Sequence, residues 1–220
     1  MVTTATLRTS APPFARAGLW LVPVHAVLLA VGTLTHQPDK DPFDAYARYV
    51  TTGSFLAGHL VASIGGAALG VLGAVAATAY LVRGAAARTA VVGLALFTTG
   101  NVVTTAVFGA AAFAQPALGR AHLRGVADAA AIDADVYGAP LVLTALVGVL
   151  MLLAGAIALG TAVARTAPGL RVAGVSYAVA IALFLVAGLV LTTLQPLFAA
   201  AAAVAGAVIA RRLPSTTTPP

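Results

Sequence analysis

No cysteine occurs in this 220-residue chain, which excludes disulfides, thiolate metal sites and a cysteine nucleophile. Charge is nearly as scarce. Only 8% of residues are Asp, Glu, Lys or Arg, against roughly 25% in a soluble domain. With 60% hydrophobic residues and a mean hydropathy of +1.01, the chain cannot cover its own surface in water. Lipid is its expected solvent, and no stretch is long or polar enough to form a separate soluble domain. The net charge of +6 does not mark a nucleic-acid binder. The basic residues stand in pairs between apolar runs rather than in a patch with interleaved aromatics.

A spanning helix needs about 20 mainly apolar residues, and the sequence offers six candidates: Gly18–Thr35, Ser54–Val82, Thr89–Gln115, Pro140–Ala164, Val172–Leu191 and Pro196–Ala210. The second is long enough to tilt or to extend past the bilayer. The sixth is short for a ~30 Å hydrocarbon core, and Pro196 suits its first turn. The first has an alternative reading as a signal peptide, since Arg8 and Arg16 precede it and Ala30-Val31-Gly32 resembles a cleavage site. The expected fold is all-α, a polytopic transmembrane bundle of about six helices over residues 17–212. An N-terminal tail (1–16) precedes it, and a Thr/Pro-rich tail (213–220) with nothing to bury is expected to be disordered.

Charge sets the orientation. Arg8, Arg16, Arg83, Arg88, Arg165, Arg171, Arg211 and Arg212 fall on one side of a six-span arrangement, with no acid beside them. Lys40, Arg48, Arg120, Arg124 and all six acids (Asp39, Asp41, Asp44, Asp128, Asp133, Asp135) fall on the other. Basic residues concentrate on cytoplasmic loops, so both termini are expected in the cytoplasm, with the chain in the cell (inner) membrane.

Two long connections lie on the acidic side. In His36–Gly53, Asp41 is placed to cap a helix with Pro42 at its first position and Asp44 near its positive end. Phe43, Tyr46, Ala47 and Val50 share its apolar face. In Pro116–Gly138 a second helix is expected over about Leu123–Tyr137, with Ala129, Ile132 and Val136 along one side and Asp133 to the flank. Both read as short interfacial helices lying on the membrane surface. Asp44-Ala45-Tyr46 is echoed in Asp133-Ala134-Asp135-Val136-Tyr137.

The stretch DPFDAYARYVTTGSFLAGHLVASIGGAALG, with FGAAAFAQPALGRAHL and DADVYGAPL further on, resembles a family of actinobacterial membrane proteins of unknown function. The resemblance covers roughly Pro38–Leu141. It implies a six-helix membrane fold and brings no activity, cofactor or site residue with it.

Polar side chains inside a membrane are functional candidates by default. No acid, lysine or arginine lies deep in any span, which argues against a pump built on a buried carboxylate. His25 and Asn101 are the deepest polar groups, and each is expected to face the interior and to bond the other, a threonine or a shared water. Packing by interhelical hydrogen bonds and a ligand or proton-relay site both remain open for them. Haem would need His25 and His59 at one depth, but they differ by about 7 Å at ~1.5 Å per residue. His36, His59 and His122 gather on the acidic side, yet no H-x-x-x-H or H-E-x-x-H spacing marks a metal centre. No metal or cofactor is expected. Asp133, His122 and His59 join His25 and Asn101 as candidate ligand-binding residues. Gly66 and Gly70 form G-x-x-x-G, a close-packing face for the bundle or for a homo-oligomer.

Three functions compete: a non-enzymatic protein that binds or passes a small ligand through an outward-opening pocket, a membrane-embedded enzyme acting on a lipid or isoprenoid with an outer Asp or His as acid or base, and an accessory subunit.

Overall fold

The computed structural model describes residues 13–34 and 37–216, and the regular structure within them is helical. Its α-helices are α1 (Pro13–Gly18), α2 (Leu21–Gly32), α3 (Phe43–Val50), α4 (Gly53–Ala57), α5 (Gly66–Leu81), α6 (Ala87–Leu123), α7 (Ala129–Val136), α8 (Ala139–Thr166), α9 (Arg171–Val190) and α10 (Gln195–Thr216). A π-helix, Gly58–Gly65, joins α4 to α5 without a break in the rod. Among the described residues six stretches are long and apolar enough to cross a membrane: Phe14–Gly32, Gly53–Leu81, Ala87–Leu123, Ala129–Thr166, Pro168–Val190 and Thr192–Thr216. The chain is a multi-pass membrane protein built as a helical bundle.

The helices close into a ring, each touching the next in the order α5, α2, α10, α9, α8, α6 and back to α5. Inside it the side chains are small. Lipid tails are as apolar as leucine, so helices in a membrane gain by close van der Waals packing rather than by hiding large apolar groups. Accordingly Ala26, Ala90, Ala156, Ala162 and Ala202 are fully buried, whereas Leu143 and Val179 stand 61% and 50% exposed on the outer surface. The tightest seam joins α6 to α8. A Cβ on Gly155 would lie 2.4 Å from the Phe97 backbone nitrogen, and one on Gly100 would lie 2.6 Å from that of Leu152. Between the helices lies a partly open apolar void of about 30 Å³ beside Gly70, Phe97 and Tyr177, room on the scale of one water.

Several boundaries differ from the sequence reading. The first span begins at Phe14, and Leu19 and Ala26 are wholly buried, so this segment is a structural member of the bundle. The last span is a full 22-residue helix ending at Thr216, with Leu213 buried; of the expected disordered tail, residues 217–220 lie outside the described part. The largest difference is α6. The sequence places a loop at Pro116, but the helix runs through that proline for 37 residues. At ~1.5 Å per residue it is about 55 Å long, against a hydrocarbon core of ~30 Å. Its far end carries a cap made from the two long connections, with α3 and α7 packed on it.

Candidate functional site

The cap is assembled on the far end of α6. Gly119 lets α3 lie directly on it: a Cβ there would meet the Ala47 carbonyl oxygen at 2.9 Å. His122 Nε2 stands 2.6 Å from Asp44 Oδ1, and its ring packs edge-on to Phe43 with centroids 4.9 Å apart. The apolar face of α3 is therefore spent on protein. Tyr46, Ala47 and Val50 are 0% exposed, covered by protein. Asp41 does not cap the helix, which starts at Phe43 after an extended Pro42 without a side-chain cap.

The second short helix, α7, is turned further from expectation. Its inward face carries Ala129 and Asp133, one turn apart, while Ile132 is 46% exposed. A carboxylate takes the buried position because a cation reaches it from the other connection. Lys40 Nζ donates to Asp133 Oδ2 at 2.5 Å. That ammonium also lies 4.1 Å from the ring centroid of Tyr137 and 5.1 Å from that of Tyr46, within the ~6 Å range of cation–π attraction. The Tyr46 hydroxyl stands 3.5 Å from Asp133 Oδ1, the far limit of a hydrogen bond. Burial, and then the neighbouring Asp133 carboxylate, hold the Tyr46 phenol above its ordinary value of 10.0, so it remains an O–H donor. Gln115, on α6, faces the Tyr137 hydroxyl outside hydrogen-bonding geometry. Among the described residues, neither Gln115 Oε1 nor Tyr137 Oη, both buried, has a hydrogen-bond partner.

Of the sequence candidates, Asp133 is the centre of this cluster. His122 sits on the same cap but pairs with Asp44, and His59 is held in its own helix, with Nδ1 3.0 Å from the Phe55 carbonyl oxygen. His25 and Asn101 are buried as expected, at 5% and 4% exposure, but they do not bond each other or any of the described threonines. His25 Nδ1 lies 2.8 Å from the Gly66 carbonyl oxygen across to α5, and Asn101 Nδ2 donates to the Phe97 carbonyl at 2.9 Å. Backbone carbonyls win because each is already within reach on the packed helix. His25 lies against Gly70, where a Cβ would touch its ring at 2.9 Å. The G-x-x-x-G face is thus filled within one chain. His59 lies eleven positions before Gly70 in sequence, roughly 15 Å further along the helix, so His25 and His59 cannot share an iron. His36 lies outside the described residues, and among those described no three His, Cys, Asp or Glu side chains converge.

Lys40, Tyr46, Gln115 and Tyr137 are not among the sequence candidates for the site. One signal was available: Ala129, Asp133 and Tyr137 recur at i, i+4, i+8 and so share a helical face. The Asp–Ala–Tyr echo also has a structural outcome, since its two tyrosines, Tyr46 and Tyr137, flank the Lys40 ammonium.

The fold and cap define a six-span helical membrane protein with a buried polar cluster at its acidic end. Comparison of the chain with protein-family profiles, curated proteins and solved structures gave no match.

Proposed function

We propose that this is a non-enzymatic membrane protein that binds a small ligand at the cap, on the outer side of the cell (inner) membrane. The observation that carries the reading is the incomplete pairing of a buried polar cluster. Among the described residues, Asp133 is 0% exposed with one close partner, while Gln115 Oε1 and Tyr137 Oη beside it face each other outside hydrogen-bonding geometry and have no other partner. A buried polar atom without a partner costs ~1–3 kcal/mol, a cost that a bound ligand offering the missing partners would remove. The outward orientation rests on the arginines at the opposite end. Binding is favoured over passage because the void between the helices is apolar and of about 30 Å³, too small for a metabolite. Binding is favoured over catalysis because each described histidine is held by a backbone carbonyl or by Asp44, with no hydroxyl nucleophile bonded to it. Native mass spectrometry of protein taken directly from its own membrane tests the reading. It should show a co-purifying small mass that Asp133→Asn loses; a bare chain, or a mass that survives the substitution, contradicts it.

A further inference from the structure

Twelve residues are Lys or Arg, and Lys40 is the single lysine among them. It is also the residue whose side chain enters the cap cluster. The two cations differ in ways that matter here. Guanidinium is a planar fork, whereas an ammonium is a compact charge with three donors on one atom. The cluster suits the second. It offers a carboxylate oxygen at 2.5 Å and tyrosine faces at 4.1 Å and 5.1 Å from the same nitrogen.

Lys40 itself is reached from solvent. It projects from an irregular segment that precedes α3, and its side chain is 41% exposed while that of Asp133 is 1% exposed. It also leaves capacity unused. Among the described residues, Asp133 Oδ1 has only the long contact to Tyr46, and Gln115 Oε1 and the Tyr137 hydroxyl face each other without a hydrogen bond of ordinary geometry. A pair present only to stitch two connections together needs neither the aromatic walls nor the spare acceptors.

We infer that Asp133, Tyr46 and Tyr137, with Gln115 behind them, form a binding site for an organic ammonium, and that Lys40 is a tethered competitor for it. This rests on the cap being a ligand site and specifies the ligand. The entering group is R–NH3+, supplied by a free small amine or by an ethanolamine lipid headgroup. A tethered group competes at an effective concentration in the millimolar range, so an external ligand binds less tightly to the wild type than to a chain without the Lys40 ammonium.

Thermal stability and native mass spectrometry with ethylammonium chloride, against sodium chloride at equal ionic strength, test this. Lys40→Ala should bind ethylammonium at least ~10-fold tighter than the wild type, and adding Asp133→Asn to that variant should abolish the response. Lys40→Met keeps the length of the side chain while removing its ammonium, so it reads the same gain if Lys40→Ala does not fold. A response no stronger in the Lys40 variants than in the wild type, or one that persists without the Asp133 carboxylate, overturns the inference. Phosphatidylglycerol vesicles with and without phosphatidylethanolamine separate the two sources. A headgroup ligand abolishes the ethylammonium response when phosphatidylethanolamine is present, and a free-amine ligand leaves it unchanged. If ethylammonium fails while the wild type still holds a neutral or anionic mass that Asp133→Asn releases, the ammonium assignment falls and the cap stands as a ligand site. If no mass of any kind is held, both fall.

Discussion

Lys40 and Asp133, 93 positions apart in sequence, meet at 2.5 Å and tie the connection before α3 to α7. The pair is lopsided, with the lysine side chain 41% exposed and the aspartate 1% exposed. Removing one partner from a buried pair costs most when the charge left behind stays buried. In the absence of an added amine, Lys40→Met should therefore destabilise the protein by about 3 kcal/mol. Asp133→Asn frees a lysine that can turn to water and should cost about 1 kcal/mol. Thermal unfolding in detergent checks the order, and equal losses or the reverse order would contradict it.

The α6–α8 seam makes a sharper steric prediction. Gly155→Ala forces a Cβ to within 2.4 Å of the Phe97 backbone nitrogen, so the helices must separate, at a cost of about 1–3 kcal/mol or more. Gly109→Ala, on the same α6, meets nothing within 4 Å and should be neutral or stabilising by up to ~1 kcal/mol through helix propensity. Similar melting temperatures for the two variants would mean that the seam is not close-packed as described.

The spans were legible because hydropathy and arginine pairs are local signals, written within each helix and its flanks. The cap was not. Pro116 reads as a helix end because it lacks an N–H, yet α6 continues through it to Leu123, where Gly119 receives α3. That support comes from a segment some seventy positions earlier, beyond the reach of any local pattern. Asp133 was legible as a polar candidate, but its burial depends on Lys40. The inward turn of α7 followed from that distant partner, not from the apolar spacing of Ala129, Ile132 and Val136. His25 and Asn101 were correctly placed inside, while their bonds to backbone carbonyls depended on how closely glycine lets helices approach.

Tyr46 gives the cap a pH dependence. Its folded phenol is held above 10.0 by burial and by Asp133, so the unfolded chain loses the proton first. The contribution of Tyr46 is complete below the unfolded value and is lost as pH rises past it. Melting temperatures from about pH 8 to about pH 11 should fall more steeply for the wild type than for Tyr46→Phe. Parallel curves would show that the phenol is not held neutral by its site.

Orientation can be read by thiol labelling, since the chain has no cysteine of its own. Asp39 and Ser215 are both exposed, at opposite ends of the bundle. With the cap outside, Asp39→Cys should react with a membrane-impermeant maleimide in intact cells and Ser215→Cys only after lysis. The opposite pattern reverses the orientation and removes access to the cap from outside.

Under the proposed function the ligand site is the cap, and the polar groups within the ring serve packing. Equilibrium binding of the co-purifying ligand to two single variants, Asp133→Asn and Asn101→Ala, tests it most directly. Asp133→Asn should lose binding, and Asn101→Ala, whose amide bonds only the Phe97 carbonyl of its own helix, should bind like the wild type with a modestly lower melting temperature. Binding that survives Asp133→Asn and disappears in Asn101→Ala would place the site inside the membrane and contradict the account.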